Sequence, residues 1–203
     1  MKRHLRIYLA APLFNYGEKA QNVRAAKLLR AKGYRVFVPQ ELCIIDPNAD
    51  DSVKEKCFLD DLQAIREADV MVACLNSIEP DSGTMCEVGQ GCLMAVEKAE
   101  GIDNKSRIMC KPLGYKNDIR QYYSNAPVNN YVHGNLYERK VFSDIDEILP
   151  VLDKLQESVT EEEGSVKYTI ASYNCDAEIQ PTKELNELTT AKSIDEADSN
   201  ISK

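Results

Sequence analysis

Short apolar runs that alternate with segments of helical periodicity constrain the fold of this chain most strongly. The apolar runs cover 6–11, 34–39 and 70–75, and the helical patterns cover about 17–32, about 52–67 and a glycine-bearing segment that ends near Ala99. The apolar runs have the length and content of buried strands. Strands that alternate with helices form βαβ units with right-handed crossovers, and such units build a parallel sheet covered on both faces. We therefore expect an α/β fold, a flavodoxin-like or Rossmann-like three-layer sandwich with a parallel sheet of about five strands.

The remaining segments carry weaker patterns. Residues 107–111 have room for only a modest fourth strand, because Pro112 and Gly114 follow and stop it. The other predictions are a loop over 40–51, a helix over 117–123, a loop or broken helix over 124–134, and a closing helix over 143–156.

The composition divides the chain into a folded domain and a tail. A length of 203 residues suits one domain of ordinary size. Residues 157–203 contain only eight Leu, Ile, Val or Phe among 47, and their eleven acidic residues against four Lys supply −7 of the net charge of −8. Such a segment cannot bury a core of its own. We expect residues 1–156 to form one domain and residues 157–203 to form a disordered acidic tail.

Charge, hydropathy and cysteine spacing exclude several classes of function. The body of the chain is nearly neutral and has no basic patch, so nucleic acid is not an expected partner. No secretion signal or membrane-spanning run is present, which favours a soluble, cytoplasmic protein without a membrane partner. The seven cysteines form no C-x-x-C pair, and the chain has only two histidines. We expect mostly buried, reduced thiols, no metal and no other cofactor.

The run from Asp81 to Gly89 places two carboxylates, Asp81 and Glu87, six residues apart at a predicted strand-to-helix junction. Open α/β sheets keep their binding sites at such junctions. A helix N-terminus favours negative charge, which predicts an ionised, nucleophilic Glu87. The alternative is structural, because Thr84-x-x-Glu87 fits a capping box with Thr84 as the cap. That box requires neither Asp81 nor the two helical glycines that follow, each of which costs about 1 kcal/mol relative to Ala.

Three motifs in order resemble the nucleoside 2-deoxyribosyltransferase family. They are the run Ile7-Tyr8-Leu9-Ala10-Ala11-Pro12-Leu13-Phe14, the triplet Asp60-Asp61-Leu62 and the pattern Asp81-x-Gly83-x-x-x-Glu87-x-Gly89. The resemblance covers residues 5 to about 150. It implies transfer of 2-deoxyribose from one nucleobase to another through a covalent enzyme intermediate, with nucleosides and nucleobases as the partners.

The resemblance also implies roles for individual residues. Glu87 is the nucleophile, and Asp81 or Asp61 supplies the proton that makes the departing base a better leaving group. The Tyr8 hydroxyl holds the nucleophilic carboxylate in place. Two displacements of this kind preserve the anomeric configuration, as in a retaining glycosidase.

Other positions of the family pattern fall where the substrate is expected to bind. Ala11, Pro12 and Phe14 offer apolar and backbone contacts after the first strand, and Gly83 allows a close approach. Asn129 corresponds to a position that reaches into the site of a neighbouring subunit, although Asn130 fits the same loop. The resemblance therefore implies a homo-oligomer, a dimer or a hexamer.

Two alternatives stay open. A hydrolase of 2-deoxynucleoside 5-monophosphates would need a phosphate subsite, and the loop after the first strand offers no cation, although the helix N-terminus could hold an anion through its N–H groups. A non-enzymatic module could bind nucleosides in the same crevice, because a fold does not fix a function. Such a module has no reason to bring Asp61, Asp81 and Glu87 together, since their repulsion raises at least one pKa.

Overall fold

A five-stranded parallel sheet forms the centre of the computed structural model, which describes residues 3–42, 48–102, 105–123 and 126–159. The strands are β1 (Arg6–Ala10), β2 (Arg35–Phe37), β3 (Val70–Cys74), β4 (Leu113–Tyr115) and β5 (Val141–Phe142). The helices are α1 (Tyr16–Ala31), α2 (Pro39–Leu42), α3 (Asp51–Glu67), α4 (Ser82–Ala99), α5 (Asn130–Gly134) and α6 (Leu149–Ser158), with 3-10 turns at Tyr137–Arg139 and Ile145–Ile148.

The strand order β2-β1-β3-β4-β5 confirms the predicted doubly wound α/β fold. All four strand pairs are parallel, and β1 pairs with β2 on one side and with β3 on the other. The chain therefore reverses its direction of winding between β1 and β3. In open α/β sheets, ligands bind at the carboxyl ends of the strands beside such a switch point.

Side chains that alternate along β1 divide the core into two layers. Ile7 and Leu9 pack in one layer with buried residues of α1 and α6, whereas Tyr8 and Ala10 pack in the other layer with buried residues of α3 and α4. This alternation follows from the two-residue period of a strand. The tyrosine of the first motif therefore faces the helices that carry the candidate carboxylates.

Several local predictions outside the central strands are wrong. The fourth strand lies at Leu113–Tyr115, beyond the predicted stop, because Gly114 is needed inside it: a Cβ there would lie 2.6 Å from Cδ1 of Leu75. Residues 117–123 are not helical, and a short helix, α5, occupies the end of the predicted loop. The hydrophobic pattern does not predict where the fifth strand lies, because this strand has only two residues. Helix α2 occupies the start of the loop predicted over 40–51.

A buried ion cluster lies at the amino ends of the strands, at the opposite end of the sheet from the candidate site. Asp69 is fully buried just before β3 and accepts hydrogen bonds from the Arg3 guanidinium at 2.5 and 2.9 Å and from the Arg6 backbone N–H at 2.9 Å. The side chains of Arg6 and Arg107 form ion pairs with it at 3.4 and 3.5 Å. The cluster therefore joins the segment before β1 to β3 and to the chain that precedes β4.

Cys74 and Cys92 are buried free thiols, as expected, while Cys110 is half-buried and Cys86 is exposed. Cys57 differs from the expectation of reduced thiols, because it is disulfide-bonded. Within the described ranges, no helix combines the length and apolar character that crossing a membrane requires. The predicted acidic tail, residues 157–203, lies outside the described residues from position 160 onward.

Candidate active site

Tyr8 and Glu87 form the centre of the candidate site. Tyr8 is fully buried in the layer between the sheet and α3 and α4, and its hydroxyl donates a hydrogen bond of 2.6 Å to Oε1 of Glu87. Glu87 lies in the second turn of α4, which begins at Ser82. Burial, followed by the nearby charges of Glu87 and Asp61, raises the pKa of Tyr8 well above its ordinary value. The tyrosine therefore remains a neutral hydrogen-bond donor.

Glu87 is not held ionised in the way that its helix position predicted. Its pKa is raised to about 7: burial is the largest cause, the hydrogen bond from Tyr8 opposes it, and the negative charges of Asp61 and Asp81 act in the same direction as burial. The effect of the helix N-terminus fades within the first turn, and Glu87 lies beyond that turn. Removal from water and repulsion by two carboxylates outweigh it.

Asp61 projects from α3 toward the same carboxylate. Its charge acts on both Tyr8 and Glu87, and burial together with the adjacent Asp60 charge raises the pKa of Asp61 to about 6. Its Oδ1 atom is buried and accepts no hydrogen bond from the described residues. The neighbouring Asp60 instead forms an ion pair with Lys56 one turn earlier. The two adjacent aspartates therefore have different surroundings, and only Asp61 presents an unsatisfied acceptor.

Asp81 caps α4, which shows that the capping box predicted with Thr84 as the cap is wrong. The Asp81 Oδ2 atom accepts hydrogen bonds from the Thr84 backbone N–H at 2.8 Å and from Thr84 Oγ1 at 3.1 Å. The helix consequently begins at Ser82, earlier than the box requires, and Glu87 is free to contact Tyr8. A carboxylate is a strong N-cap, so Asp81 takes this position in preference to the hydroxyl of Thr84.

The three glycines in the first half of α4 have separate explanations. A Cβ at Gly83 would lie 3.1 Å from Oδ2 of Asp81, so a side chain there would crowd the cap. A Cβ at Gly91 would lie 2.9 Å from Cε of Met71, which shows that α4 packs closely on β3. A Cβ at Gly89 would meet no atom within 4 Å. Close packing therefore accounts for Gly91, and the cap accounts for Gly83.

The loop between β1 and α1 carries Ala11, Pro12 and Phe14. Ala11 is buried, whereas the Phe14 side chain is 76% exposed. The Pro12 carbonyl accepts a hydrogen bond of 2.9 Å from Nδ2 of Asn22, a buried residue of α1 that also bonds to Gln40. Sequence analysis missed Asn22, because a single polar residue on a helix gives no sign that it is buried.

Asn129 is not joined to the other candidate residues. Within the described chain, its Oδ1 atom caps α5 by accepting a hydrogen bond of 2.7 Å from the Tyr131 N–H, and its side chain bonds to none of Tyr8, Asp61 or Glu87. It is exposed, on a helix that packs against α4. Asn130 begins that helix and is exposed as well.

The arrangement provides one half-buried carboxylate with a pKa of about 7, a phenol that orients it, and two further carboxylates close enough to influence it. Within the described ranges, no three His, Cys, Asp or Glu side chains are grouped in a way that could hold a metal ion. Carboxylates with perturbed pKa values in a cleft are typical of nucleophilic and acid–base chemistry.

Comparisons with known proteins identify a matching family and solved structures of similar fold. A model of the nucleoside 2-deoxyribosyltransferase family matches residues 7–144. A 2-deoxyribosyltransferase from the psychrotolerant bacterium Bacillus psychrosaccharolyticus is similar in structure, with a TM-score of 0.54 and 22% identity over 72% of this chain and 95% of that chain. A 2-deoxyribosyltransferase from Leishmania mexicana has a TM-score of 0.50 and 20% identity, over 74% and 97% of the two chains. A conserved protein from Enterococcus faecalis V583 has a TM-score of 0.50 and 21% identity, over 75% and 99%. Comparison of the sequence with curated proteins finds no match.

The doubly wound sheet and the carboxylates at its switch point define an α/β enzyme. The structural similarities, at low identity, concern the fold alone. The family model covers more than half of the chain and includes every motif of the site, from Tyr8 to Glu87. The chain therefore belongs to the nucleoside 2-deoxyribosyltransferase family.

Proposed function

We propose that this enzyme transfers 2-deoxyribose between nucleobases through a covalent deoxyribosyl intermediate on Glu87. The observation that carries the proposal is the 2.6 Å hydrogen bond from Tyr8 to Oε1 of Glu87, which fixes a half-buried carboxylate in one orientation. A carboxylate removed from water and held in place loses little freedom when it attacks. Membership in the family supports the reaction class.

The first half of the reaction forms the intermediate. An oxygen of ionised Glu87 attacks the anomeric carbon, the bond from that carbon to the base breaks, and its electron pair leaves with the base. A proton from Asp61 reaches the departing base and neutralises it. Asp61 suits this role better than Asp81, because its Oδ1 atom is unsatisfied, whereas Asp81 already accepts two bonds from Thr84.

The second half reverses these steps with another base. Ionised Asp61 takes a proton from the incoming base, whose nitrogen attacks the anomeric carbon and releases the Glu87 carboxylate. Two inversions at the same carbon preserve its configuration. The protons balance over the cycle, since the proton that leaves with the first base is replaced from the second.

The coupled carboxylates explain how the two groups can start in opposite protonation states. With one proton between them, either Glu87 or Asp61 can carry it, and the apparent pKa values belong to the pair. Glu87 has the higher pKa and carries the proton in the more populated form, and the hydrogen bond from Tyr8 increases the share of the reactive form, in which Glu87 is ionised and Asp61 is protonated. We expect a bell-shaped dependence of activity on pH. Its two limbs are set by Asp61, with a pKa of about 6, and Glu87, with a pKa of about 7.

We also propose that the enzyme acts as a homo-oligomer, a dimer or a hexamer, in nucleoside salvage in the cytoplasm. Large apolar side chains are exposed on the three helices that cover the layer of the site: Phe58 and Leu59 on α3, Leu93 on α4 and Tyr131 on α5. Large apolar side chains that are exposed on neighbouring helices favour association. A neighbouring subunit on this face would bring Asn129, or Asn130, toward the Glu87 site of this chain.

The experiment that tests the function compares two matched variants. Purified protein is incubated with a deoxynucleoside, with and without a second free base, and the products are separated by chromatography. We expect a new deoxynucleoside from the wild type, none from Glu87→Gln, and normal yield from Glu100→Gln, which changes an exposed residue at the end of the same helix.

Other product patterns would contradict the proposal in distinct ways. Free base without transfer would favour a hydrolase, and a repeat with the 5-monophosphate would then identify its substrate. Binding of the nucleoside without any reaction would favour a non-enzymatic module. Equal activity of Glu87→Gln and the wild type would exclude Glu87 as the nucleophile.

A further inference from the structure

The loop between β3 and α4 is fastened to the segment that follows β4. Asn76 bonds through Nδ2 to Oδ1 of Asn117 at 2.7 Å, and its Oδ1 accepts the backbone N–H groups of Asn117 and Asp118 at 3.1 and 3.2 Å. The Ser77 N–H donates to Oδ2 of Asp118 at 2.9 Å. Lys116 donates its ammonium to the carbonyls of Leu75, at 3.2 Å, and Ser77. We call the group of Asn76, Lys116, Asn117 and Asp118 the loop clamp.

The loop clamp holds a strained backbone. Ser77 has a φ of 88°, in the left-handed region that residues other than glycine rarely adopt. A conformation of this kind persists only where the surroundings fix it, and here both its N–H and its carbonyl are bonded by the clamp. Lys116 is only 7% exposed, so its ammonium group donates hydrogen bonds to backbone carbonyls and not to solvent.

The clamped loop leads directly into the site. Three residues after Ser77, Pro80 precedes Asp81, and Asp81 caps the helix that carries Glu87. The position of the Asp81 charge relative to Glu87 therefore depends on the path of the chain that leaves Ser77. None of the three motifs of the family pattern contains Lys116 or Ser77.

We propose that Lys116 and Asp118 are positioning residues, which hold Ser77 in its left-handed conformation and thereby place Asp81 beside Glu87. The catalytic consequence rests on the proposed function, but the electrostatic consequence does not. If the clamp is released, the chain that enters Asp81 shifts and weakens its bonds to Thr84, so that its negative charge acts less on Glu87 and the Glu87 carboxyl becomes easier to ionise. Tyr8 and Asp61, the other groups that face Glu87, belong to other elements and stay in place.

The sharpest test changes the backbone preference of Ser77 without changing any charge. Ser77→Val places a β-branched residue where φ is positive, whereas Ser77→Gly allows the same conformation without strain. Release of the clamp disturbs the Asp81 cap of α4 and so misplaces Glu87, which lowers the rate even though the carboxyl ionises more readily. We expect Ser77→Val to lower kcat about tenfold with KM changed less than about twofold, and Ser77→Gly to stay within about twofold of the wild type. Asp118→Ala, which removes the acceptor of the Ser77 N–H, should behave like Ser77→Val.

A second readout separates positioning from loss of structure. We expect the pKa of Glu87, followed by NMR of the labelled carboxyl carbon, to fall in Ser77→Val and to stay at its wild-type value in Ser77→Gly. The acid limb of kcat/KM should shift to lower pH in the same variant. If Ser77→Val does not fold, Ser77→Ala carries the same comparison with a smaller effect.

The outcomes distinguish the two proposals. An inactive wild type would overturn the proposed function, and the NMR titration would still test the clamp. An active wild type with Ser77→Val and Asp118→Ala unchanged in kcat and in the pKa of Glu87 would overturn the clamp alone. Equal losses in Ser77→Val and Ser77→Gly would also overturn it, because the backbone conformation would then not be the cause.

Discussion

The hydroxyl of Tyr8 and the carboxylate of Glu87 are 79 positions apart in sequence and 2.6 Å apart in the fold. The contact exists because Tyr8 points from β1 into the layer that α4 covers, and because α4 begins at Ser82. It connects the first motif of the chain to the last and lowers the pKa that burial raises. The following predictions test this relationship and the structure around it.

Removal of the tyrosine hydroxyl should make Glu87 a poorer nucleophile at neutral pH. In Tyr8→Phe the hydrogen bond that favours the ionised carboxylate is lost, so the pKa of Glu87 should rise above about 7. We expect kcat to fall roughly 10- to 100-fold. The acid limb of kcat/KM should move to higher pH. Tyr34→Phe is the control, since its hydroxyl bonds to Asp153 in the other layer; unchanged pH dependence in Tyr8→Phe would contradict the role of the bond.

The raised pKa of Asp61 predicts a pH-dependent cost in stability. Its pKa is about 6 in the folded chain, against the ordinary value of 3.8 that applies to the unfolded chain, so the folded form binds a proton more tightly. The stability that this group contributes is fully present at a pH below its pKa in the unfolded chain. It is lost as the pH rises through its pKa in the folded chain. Asp61→Asn should therefore gain stability relative to the wild type, by about 1–2 kcal/mol after solvent screening, at about pH 8 but not at about pH 4. Denaturant unfolding at the two pH values measures the difference, and a gain independent of pH would refute the assignment.

The ion cluster at the amino edge should matter for stability and not for chemistry. Asp69→Asn leaves three arginines beside a neutral buried group, and we expect a loss of about 3–5 kcal/mol in the free energy of unfolding. Asp60→Asn removes a partly exposed ion pair with Lys56 and should lower the free energy of unfolding by only about 0–1 kcal/mol. Urea titration gives both values. A large fall in the kcat of folded Asp69→Asn protein would show that the amino ends of the strands are coupled to the site at their carboxyl ends.

The loop after β1 should affect substrate binding through Asn22. In Asn22→Ala the Pro12 carbonyl loses its hydrogen bond, and we expect KM for the nucleoside to rise about three- to tenfold with a smaller change in kcat. Gln40→Ala removes the other partner of Asn22 and leaves the bond to Pro12, so its KM should remain nearer the wild-type value. Steady-state kinetics on both variants gives the comparison; equal KM values would show that the loop does not touch the substrate.

The apolar surface over α3, α4 and α5 should be the subunit contact. Leu93→Glu places a charge on α4 where we expect a neighbouring subunit, so the variant should sediment as a monomer with reduced activity. Ile102→Glu changes another exposed apolar residue, beyond the end of α4, and should leave the assembly intact. Analytical ultracentrifugation distinguishes them. A wild type that sediments as a monomer would contradict the oligomer.

Periodicity alone located the central strands, because β1 and β3 are buried on both faces and appear as continuous apolar runs. The edge of the sheet was harder to predict. Leu75 packs over Gly114 and leaves no space for a side chain there, so the glycine that the sequence predicts as a stop belongs to the strand because of a residue nearly forty positions away. The two-residue strand β5 is too short to carry any period.

The motifs predicted which side chains lie near one another but not their electrostatics, and the catalytic roles of these side chains stay predictions. The motifs located Tyr8, Asp61, Asp81 and Glu87, but the capping assignment within α4 was wrong because Asp81 and Thr84 are both competent caps by sequence. Local sequence also predicted an ionised Glu87, whereas its pKa is set by burial and by charges from other elements. Those contributions become visible only when the chain is folded.

The groups around Glu87 come from β1, α3 and the loop before α4, three segments that are brought together only by pairing of the central strands. No fragment of the chain can therefore hold a partial version of the site. A nucleoside that binds there recognises the native state and not the unfolded chain, so it must raise the temperature of global unfolding. Heat denaturation of the whole domain thus becomes a direct measure of occupancy.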